Sequence, residues 1–453
     1  MLSIASLVAA SALLSFFPQA FAQSPVYGQC GGTGYTGPTT CADGHIRLHI
    51  LQPIQCVPGT ASSSSSSTTK TSTTTTKTST STTKTSSSAS STPTSGGCVG
   101  TISSLDDVDN AVKCTTVNIN SFTVPAGQGF TLSLQKGSTV NLNGDIYFGN
   151  KTWAGPLFTV SGTSITFNGN GHKLDGNGPF YWDGQGGNGG VTKPAPMIKI
   201  KMSGTYSNVK VVNSPARTYS VSNPATLVMT DLVIDNSLGD QPNANSGGLA
   251  AGHNTDGFDC STHDLTIQNR RVNSIMTEPV LELNGIPTDQ DDCLAINSGS
   301  NIVFKGNTCT GGHGISIGSI DSNVVVSDIT ISGNTIVNND QALRIKTKSA
   351  STNSTVTGIT YSGNTATGIR KYGIIIDESY PDTIGTPGTG VIISNVNFAA
   401  PTSTIAVASS AQRVAVNCGK NACTGTWNWS NLKVTGGVAG KITNFSGITG
   451  FSQ

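Results

Sequence analysis

Ile302-Val-Phe-Lys-Gly-Asn307, Ile329-Thr-Ile-Ser-Gly-Asn334 and Ile359-Thr-Tyr-Ser-Gly-Asn364 repeat one pattern, an alternating apolar run closed by Gly-Asn. Their starts differ by 27 (329 − 302) and 30 (359 − 329) residues, the period of one solenoid coil. In each run Ile and its i+2 neighbour share a face and enter a core, while Gly and Asn tolerate positive φ at the turn. Stacked coils pair their backbone groups with neighbours and bury a continuous apolar column. A β-sandwich also has many short strands. The repeats share a motif as well as a spacing, which favours an all-β chain folded as a right-handed parallel β-helix.

Working outward, 453 residues suffice for one large domain and a small appendage. The N-terminus is an apolar run ending in Ala20-Phe21-Ala22, a small-x-small cleavage signature. Residues 1–22 therefore read as a signal peptide, Gln23 as the first mature residue, and the product as secreted and extracellular. No later segment reaches the ~18 consecutive apolar residues of a membrane span. Residues 61–97 are almost all Ser and Thr, cannot bury a core, and suit an O-glycosylated linker. They separate a module at 23–60 from a main domain at 98–453.

Ten cysteines fit an oxidising compartment. Spacing suggests local staples: Cys98 with Cys114, Cys293 with Cys309, and Cys418 with Cys423. No Cys-x-x-Cys pair or clustered His indicates a metal site. A formal net charge of +1 makes no case for nucleic acid or a membrane surface as partner. Sequons at Asn150, Asn353, Asn428 and Asn444 suit glycans on a secreted chain.

Only 11% of residues are charged, yet Asn254-Thr-Asp-Gly-Phe-Asp259, Gln290-Asp-Asp-Cys293, Gly311-Gly-His-Gly314 and Arg344-Ile-Lys346 fall on successive repeats. Hydrolysis of a glycosidic bond needs a protonated carboxyl at the leaving oxygen and a carboxylate that activates water or attacks directly. Asp256, Asp291 and Asp292 can fill those parts, and crowding keeps one of them protonated. Adjacent aspartates on a regular strand would face opposite ways, so the 291–292 pair is expected at a strand end or bend. His313 between glycines can approach the acid and tune it. Arg344 and Lys346 share the outward face of a strand while Ile345 enters the core, and such a cation pair suits sugar carboxylates. Singly, these are a turn Asp-Gly, a surface Asp-Asp, a turn histidine and a solvated strand face. Their common occurrence in this order points instead to a site acting on an anionic sugar polymer.

Together with Tyr380, these motifs resemble those of family-28 glycoside hydrolases, fungal endo-polygalacturonases above all. Leu294-Ala-Ile-Asn-Ser-Gly299, Gly314-Ile-Ser-Ile-Gly-Ser319 and Tyr372-Gly-Ile-Ile-Ile-Asp-Glu-Ser-Tyr380 extend the resemblance, which covers residues 98 to 440. It implies a pectin-lyase-like solenoid that cleaves galacturonan internally, with inversion, as a monomer and without cofactor or metal. By position it implies Asp291 as general acid, with Asp256 and Asp292 holding and deprotonating water. His313 would support the acid, and Asn254, Arg344, Lys346 and Tyr380 would bind galacturonate.

Three segments depart from that pattern. Arg270 to Asp289 lengthen the approach to Asp291, as a loop or as a translated intron. Gln29 to Cys41 resembles the first half of a fungal family-1 carbohydrate-binding module, with Tyr27 and Tyr35 as cellulose-stacking candidates. Residues 42–55 lack the expected cysteine and tyrosines, leaving Cys30 partnerless while Cys41–Cys56 can still form. A closing cysteine pair after Cys423 is absent, and Cys260 is expected as a buried free thiol. Rival readings are an exo-acting or rhamnogalacturonan-directed relative, a calcium-dependent pectate lyase, and a wall-binding β-helix impaired by the 270–289 run.

Overall fold

In the computed structural model the described residues are 97–269 and 291–453, preceded by the backbone of three strands, Gln29–Gly31, His45–Leu48 and Ile54–Pro58. Those three form an antiparallel sheet with Ile54–Pro58 in the middle. Tyr27, Tyr35 and the side chains of Cys30, Cys41 and Cys56 lie outside the described residues, as does the 270–290 run. The chain divides into two compact units, Met1–Ser91 and Thr92–Gln453.

The second unit is a right-handed parallel β-helix, as the repeats predict. The Phe258–Gln268, Leu294–Lys305, Val325–Ser332 and Ser354–Ser362 strands pair in parallel, placing Leu265, Ile302, Ile329 and Ile359 in one row. That row is fully buried, and so are Phe304 and Ile331 in the next inward row. Phe258 stacks face to face on Tyr219, with centroids 5.2 Å apart. Such stacking adds about 0.5–1.5 kcal/mol to area burial.

The Gly-Asn closings differ from expectation in one respect. Gly306, Gly333 and Gly363 take the positive φ, whereas Asn307, Asn334 and Asn364 turn inward and are buried. Asn334 Nδ2 donates to Asn364 Oδ1 at 2.9 Å and to the Phe304 carbonyl at 3.0 Å. Asn307 Nδ2 donates in turn to Asn334 Oδ1 at 3.2 Å. The repeat in sequence is thus an amide ladder that satisfies the backbone at each corner.

Long strands bend where one sheet passes into the next, and glycine makes the bend possible. Gly299 has φ +108°, and a Cβ there would lie 1.6 Å from the Thr262 carbonyl oxygen. Disulfides join Cys98 to Cys114, Cys293 to Cys309 and Cys418 to Cys423. Cys260 is a free thiol packed in the core.

Candidate active site

The site is built on one sheet of the helix, from strands Tyr219–Val221, Phe258–Gln268, Leu294–Lys305, Ile315–Ile320, Gln341–Lys348 and Tyr372–Tyr380. Register fixes which side chains meet. Ser220, Asp259, Ala295, Ser316 and Arg344 pair in sequence across five strands. Their neighbours Cys260, Ile296, Ile317 and Ile345 form the adjacent inward row and are buried. Alternation therefore sends Asp259, Ser316 and Arg344 to the outer face.

Asp291 and Asp292 sit just before the strand that starts at Leu294, off the regular pleat, as expected for an adjacent pair serving one site. The Cys293–Cys309 disulfide clamps this strand entry. Gly257 N donates to the Asp292 carbonyl at 2.9 Å, which holds Asp256 alongside.

His313 arrives on a bend, and its amide donates to the Asp291 carbonyl at 3.2 Å. The next residue must be glycine. Gly314 has φ +84°, and a Cβ would lie 2.1 Å from the Gln341 carbonyl oxygen.

Asp291 is engaged at both carboxylate oxygens. Its Oδ1 lies 2.9 Å from His313 Nδ1 and accepts from the Asp292 amide at 2.9 Å. Its Oδ2 accepts from Asn254 Nδ2 at 2.7 Å. Asn254 itself sits at φ 51° and accepts from the Gly187 amide through Oδ1.

Asp292 holds both cations of the Arg-Ile-Lys strand. Arg344 Nη2 donates to its Oδ1 at 2.5 Å and Lys346 Nζ to its Oδ2 at 2.8 Å. Ser316 Oγ donates to the same Oδ1 at 2.7 Å and accepts from Arg344 Nε at 2.9 Å. Ile345 is buried. Both cations share the outward face the sequence predicts, and both are anchored on Asp292. Lys346 Nζ also lies 5.3 Å from the centre of the Tyr380 ring, a cation–π contact.

Electrostatics separates the carboxylates. Burial, reinforced by the charges of Asp291, Asp259 and Asp292, pushes Asp256 well above the usual carboxylate range. Burial also raises Asp259, against the pull of Arg217 at 3.5 Å. Burial would raise Asp291 too. The hydrogen bond and charge of His313, then Lys346 and Arg344, outweigh it and hold Asp291 well below that range. A carboxyl with raised and one with lowered proton affinity thus lie within one cluster, an asymmetry that suits acid–base hydrolysis.

Three participants were not singled out from sequence. Asp259 belongs to the quoted Asn254–Asp259 run, and alternation after inward Phe258 would have turned it outward. Ser316 follows from its register with Arg344. Asp340 lies 4.0 Å from His313 Nε2 and accepts from Arg370 and Lys371 at 2.8 and 2.6 Å. The offset of 30 (370 − 340) is the coil period, so that pairing was also legible.

A family model, glycosyl hydrolases family 28, matches residues 114–451, and a fungal cellulose binding domain matches residues 26–45. Endopolygalacturonase I of Aspergillus aculeatus is 37% identical over 355 residues, covering 76% of this chain and 87% of that protein. An endo-polygalacturonase of Sclerotinia sclerotiorum is 39% identical over 347 residues, covering 74% of this chain and 82% of that protein. The solved structure of endopolygalacturonase I from Stereum purpureum, complexed with two galacturonate, superposes with a TM-score of 0.70 at 47% identity. It covers 77% of this chain and 98% of its own. An endo-xylogalacturonan hydrolase from Aspergillus tubingensis shares the fold at 20% identity and a TM-score of 0.58. A β-helix carrying this carboxylate–histidine–cation cluster, matched over most of its length, is a glycoside hydrolase, and the chain belongs to glycosyl hydrolases family 28.

Proposed function

We propose that the chain is a secreted, monomeric endo-polygalacturonase that hydrolyses internal α-1,4-galacturonosyl bonds of polygalacturonate and pectin, with inversion and without a cofactor. One observation carries this reading: carboxylates of opposite protonation preference meet Arg344 and Lys346 on a single sheet face. Relatives named endopolygalacturonases, and a solved neighbour holding galacturonate, agree with it.

Asp291 gives its proton to the leaving glycosidic oxygen. Asp256 and Asp292 hold the water that attacks the anomeric carbon and take up its proton, so one proton enters and one leaves the cluster per cleavage. His313 supports Asp291, while Asn254, Arg344, Lys346 and Tyr380 receive the galacturonate beside the scissile bond.

Its surroundings hold Asp291 towards the ionised form, and Asp256 is the stronger proton holder. A sugar carboxylate that takes up Arg344 and Lys346 offsets two of the charges holding Asp291 down, which raises its proton affinity. The cluster titrates as a unit, and substrate moves its proton towards the leaving group.

Ligand atoms of Asp291, Asp292 and His313 lie within 4.8 Å of one another, close enough to hold a metal ion. Two cations already bound to Asp292 oppose a further dication there. Hydrolysis is therefore expected to continue in chelator.

Residues 1–22 are assigned as signal peptide and 61–97 as linker. The 23–60 module is assigned to cellulose through Tyr27 and Tyr35, to be tested by retention of the full chain on microcrystalline cellulose.

The decisive experiment incubates the chain with polygalacturonic acid and chelator, following reducing ends, viscosity, oligomer sizes and the anomeric configuration released. A fast fall in viscosity with mixed oligomers of inverted configuration is expected. Monomer release alone would point to exo action, and an unsaturated product lost in chelator to a lyase. If the folded chain binds without turnover, deletion of 270–289 distinguishes an interrupted catalytic strand, which the deletion rescues, from a binding protein.

A further inference from the structure

Five strands before Arg344-Ile-Lys346, on the same sheet, the chain repeats the pattern as Lys199-Ile200-Lys201. The correspondence is one of register as well as sequence. Lys199 pairs with Ser220, Ser220 with Asp259, Asp259 with Ala295, Ala295 with Ser316, and Ser316 with Arg344. Lys199 and Arg344 therefore occupy one outward row, and Ile200 and Ile345 one buried row beside it. Lys201 and Lys346, each following its buried isoleucine, return to the outer face.

The two pairs differ in their partners. Arg344 and Lys346 are bound to Asp292. Among the described residues no ion pair engages Lys199, which is half-buried, or Lys201, which is exposed. Two like charges two residues apart on one strand face repel each other. A fold gains nothing internal from holding them there.

We infer that Lys199 and Lys201 form a distal subsite for uronate carboxylates, on the opposite side of the cleavage point from Arg344 and Lys346. With adjacent strands about 4.8 Å apart, the two cation pairs stand about 24 Å from each other along the helix axis, and Lys199 stands about 14 Å from the strand of Asp292. A polyuronate lying across the strands carries a carboxylate on every residue, so one chain can engage both pairs at once. Ser220, a small side chain, is the one residue between Lys199 and Asp259 in that row. A half-buried and an exposed cation contribute modestly and are screened by salt, so the subsite acts on long anionic chains and weakens as ionic strength rises.

This inference rests on the galacturonan reading of the catalytic cluster. The test compares wild type, Lys199→Ala/Lys201→Ala and Lys199→Arg/Lys201→Arg on trigalacturonate and octagalacturonate, at low and high salt. Affinity for both oligomers is measured in an Asp291→Asn background. The alanine pair is expected to lower kcat/KM and affinity on the octamer about tenfold more than on the trimer at low salt. The arginine pair should retain the wild-type ratio.

Equal losses on both lengths, or no loss on the octamer, would overturn the subsite. If wild type binds the octamer but does not cleave it, the hydrolase reading fails while the affinities still decide the subsite. If it does neither, both readings fall.

Discussion

Asp291 and Lys346 show how single side chains divide the work of this site. Asp291 is fully engaged by His313, Asn254 and a backbone amide, so asparagine can replace it with little change in shape. Asp291→Asn is expected to lower the rate of reducing-end formation about a hundred- to ten-thousandfold, the usual contribution of a positioned acid, with thermal stability near that of wild type. Near-full activity would remove Asp291 from the acid role. Lys346 binds Asp292 and lies beside Tyr380. Lys346→Ala should raise KM about tenfold through the lost charged contact, and lower kcat as well because Asp292 loses one of its two cations. An unchanged KM in steady-state kinetics would exclude the substrate contact. Sequence named these residues, but not that Asp292 holds the cations, since that depends on a contact across 54 residues.

At the scale of the element, the Asn307–Asn334–Asn364 ladder ties successive coils at their corners. Asn334 accepts from the Asn307 amide at 2.9 Å and donates to the buried Phe304 carbonyl. Its removal takes the acceptor from the Asn307 amide and the side-chain donor from the Phe304 carbonyl, which stays within the parallel ladder with Ile331. Asn334→Ala is expected to cost about 1–3 kcal/mol, the cost of one buried orphaned amide. Denaturant unfolding measures this directly, and a loss below about 0.5 kcal/mol would show that water replaces the amide. The Gly-Asn repeat was legible as a coil marker. Its division of labour, glycine for φ and asparagine for hydrogen bonds, was not, because both residues favour turns and only burial separates them.

For the whole molecule, Glu378 makes stability depend on pH. It is fully buried, its Oε2 accepts from the Gly419 amide at 2.7 Å, and its Oε1 has no partner. Burial, with the nearby Asp377 charge, pushes its pKa up to about 8 from an ordinary 4.5. Between those values the folded state keeps a proton that the unfolded state has released. The stabilisation is complete below pH 4.5 and is lost as pH rises through about 8. The loss across that window is on the order of a few kcal/mol. Glu378→Gln does not titrate, so its melting temperature relative to wild type should climb from pH 4 to pH 8. Parallel melting curves across that range would mean that Glu378 does not hold its proton.

The β-helix was determined by sequence alone, and so was the list of candidate site residues that its coils carry, for a local reason: a solenoid repeats its apolar face, its turn and its outward residues in each coil. Ile302, Ile329 and Ile359 mark the coils, and Asp256, Asp291, Asp292, His313, Arg344 and Lys346 mark one face. Tertiary structure alone decided which charges meet. Asp292 takes both cations, Asp291 takes His313, burial sends Asp256 upward, and among the described residues Lys199 and Lys201 are left without an ion pair. Those outcomes depend on inter-coil register and on distance from water, and a one-dimensional pattern encodes neither until neighbouring coils are stacked.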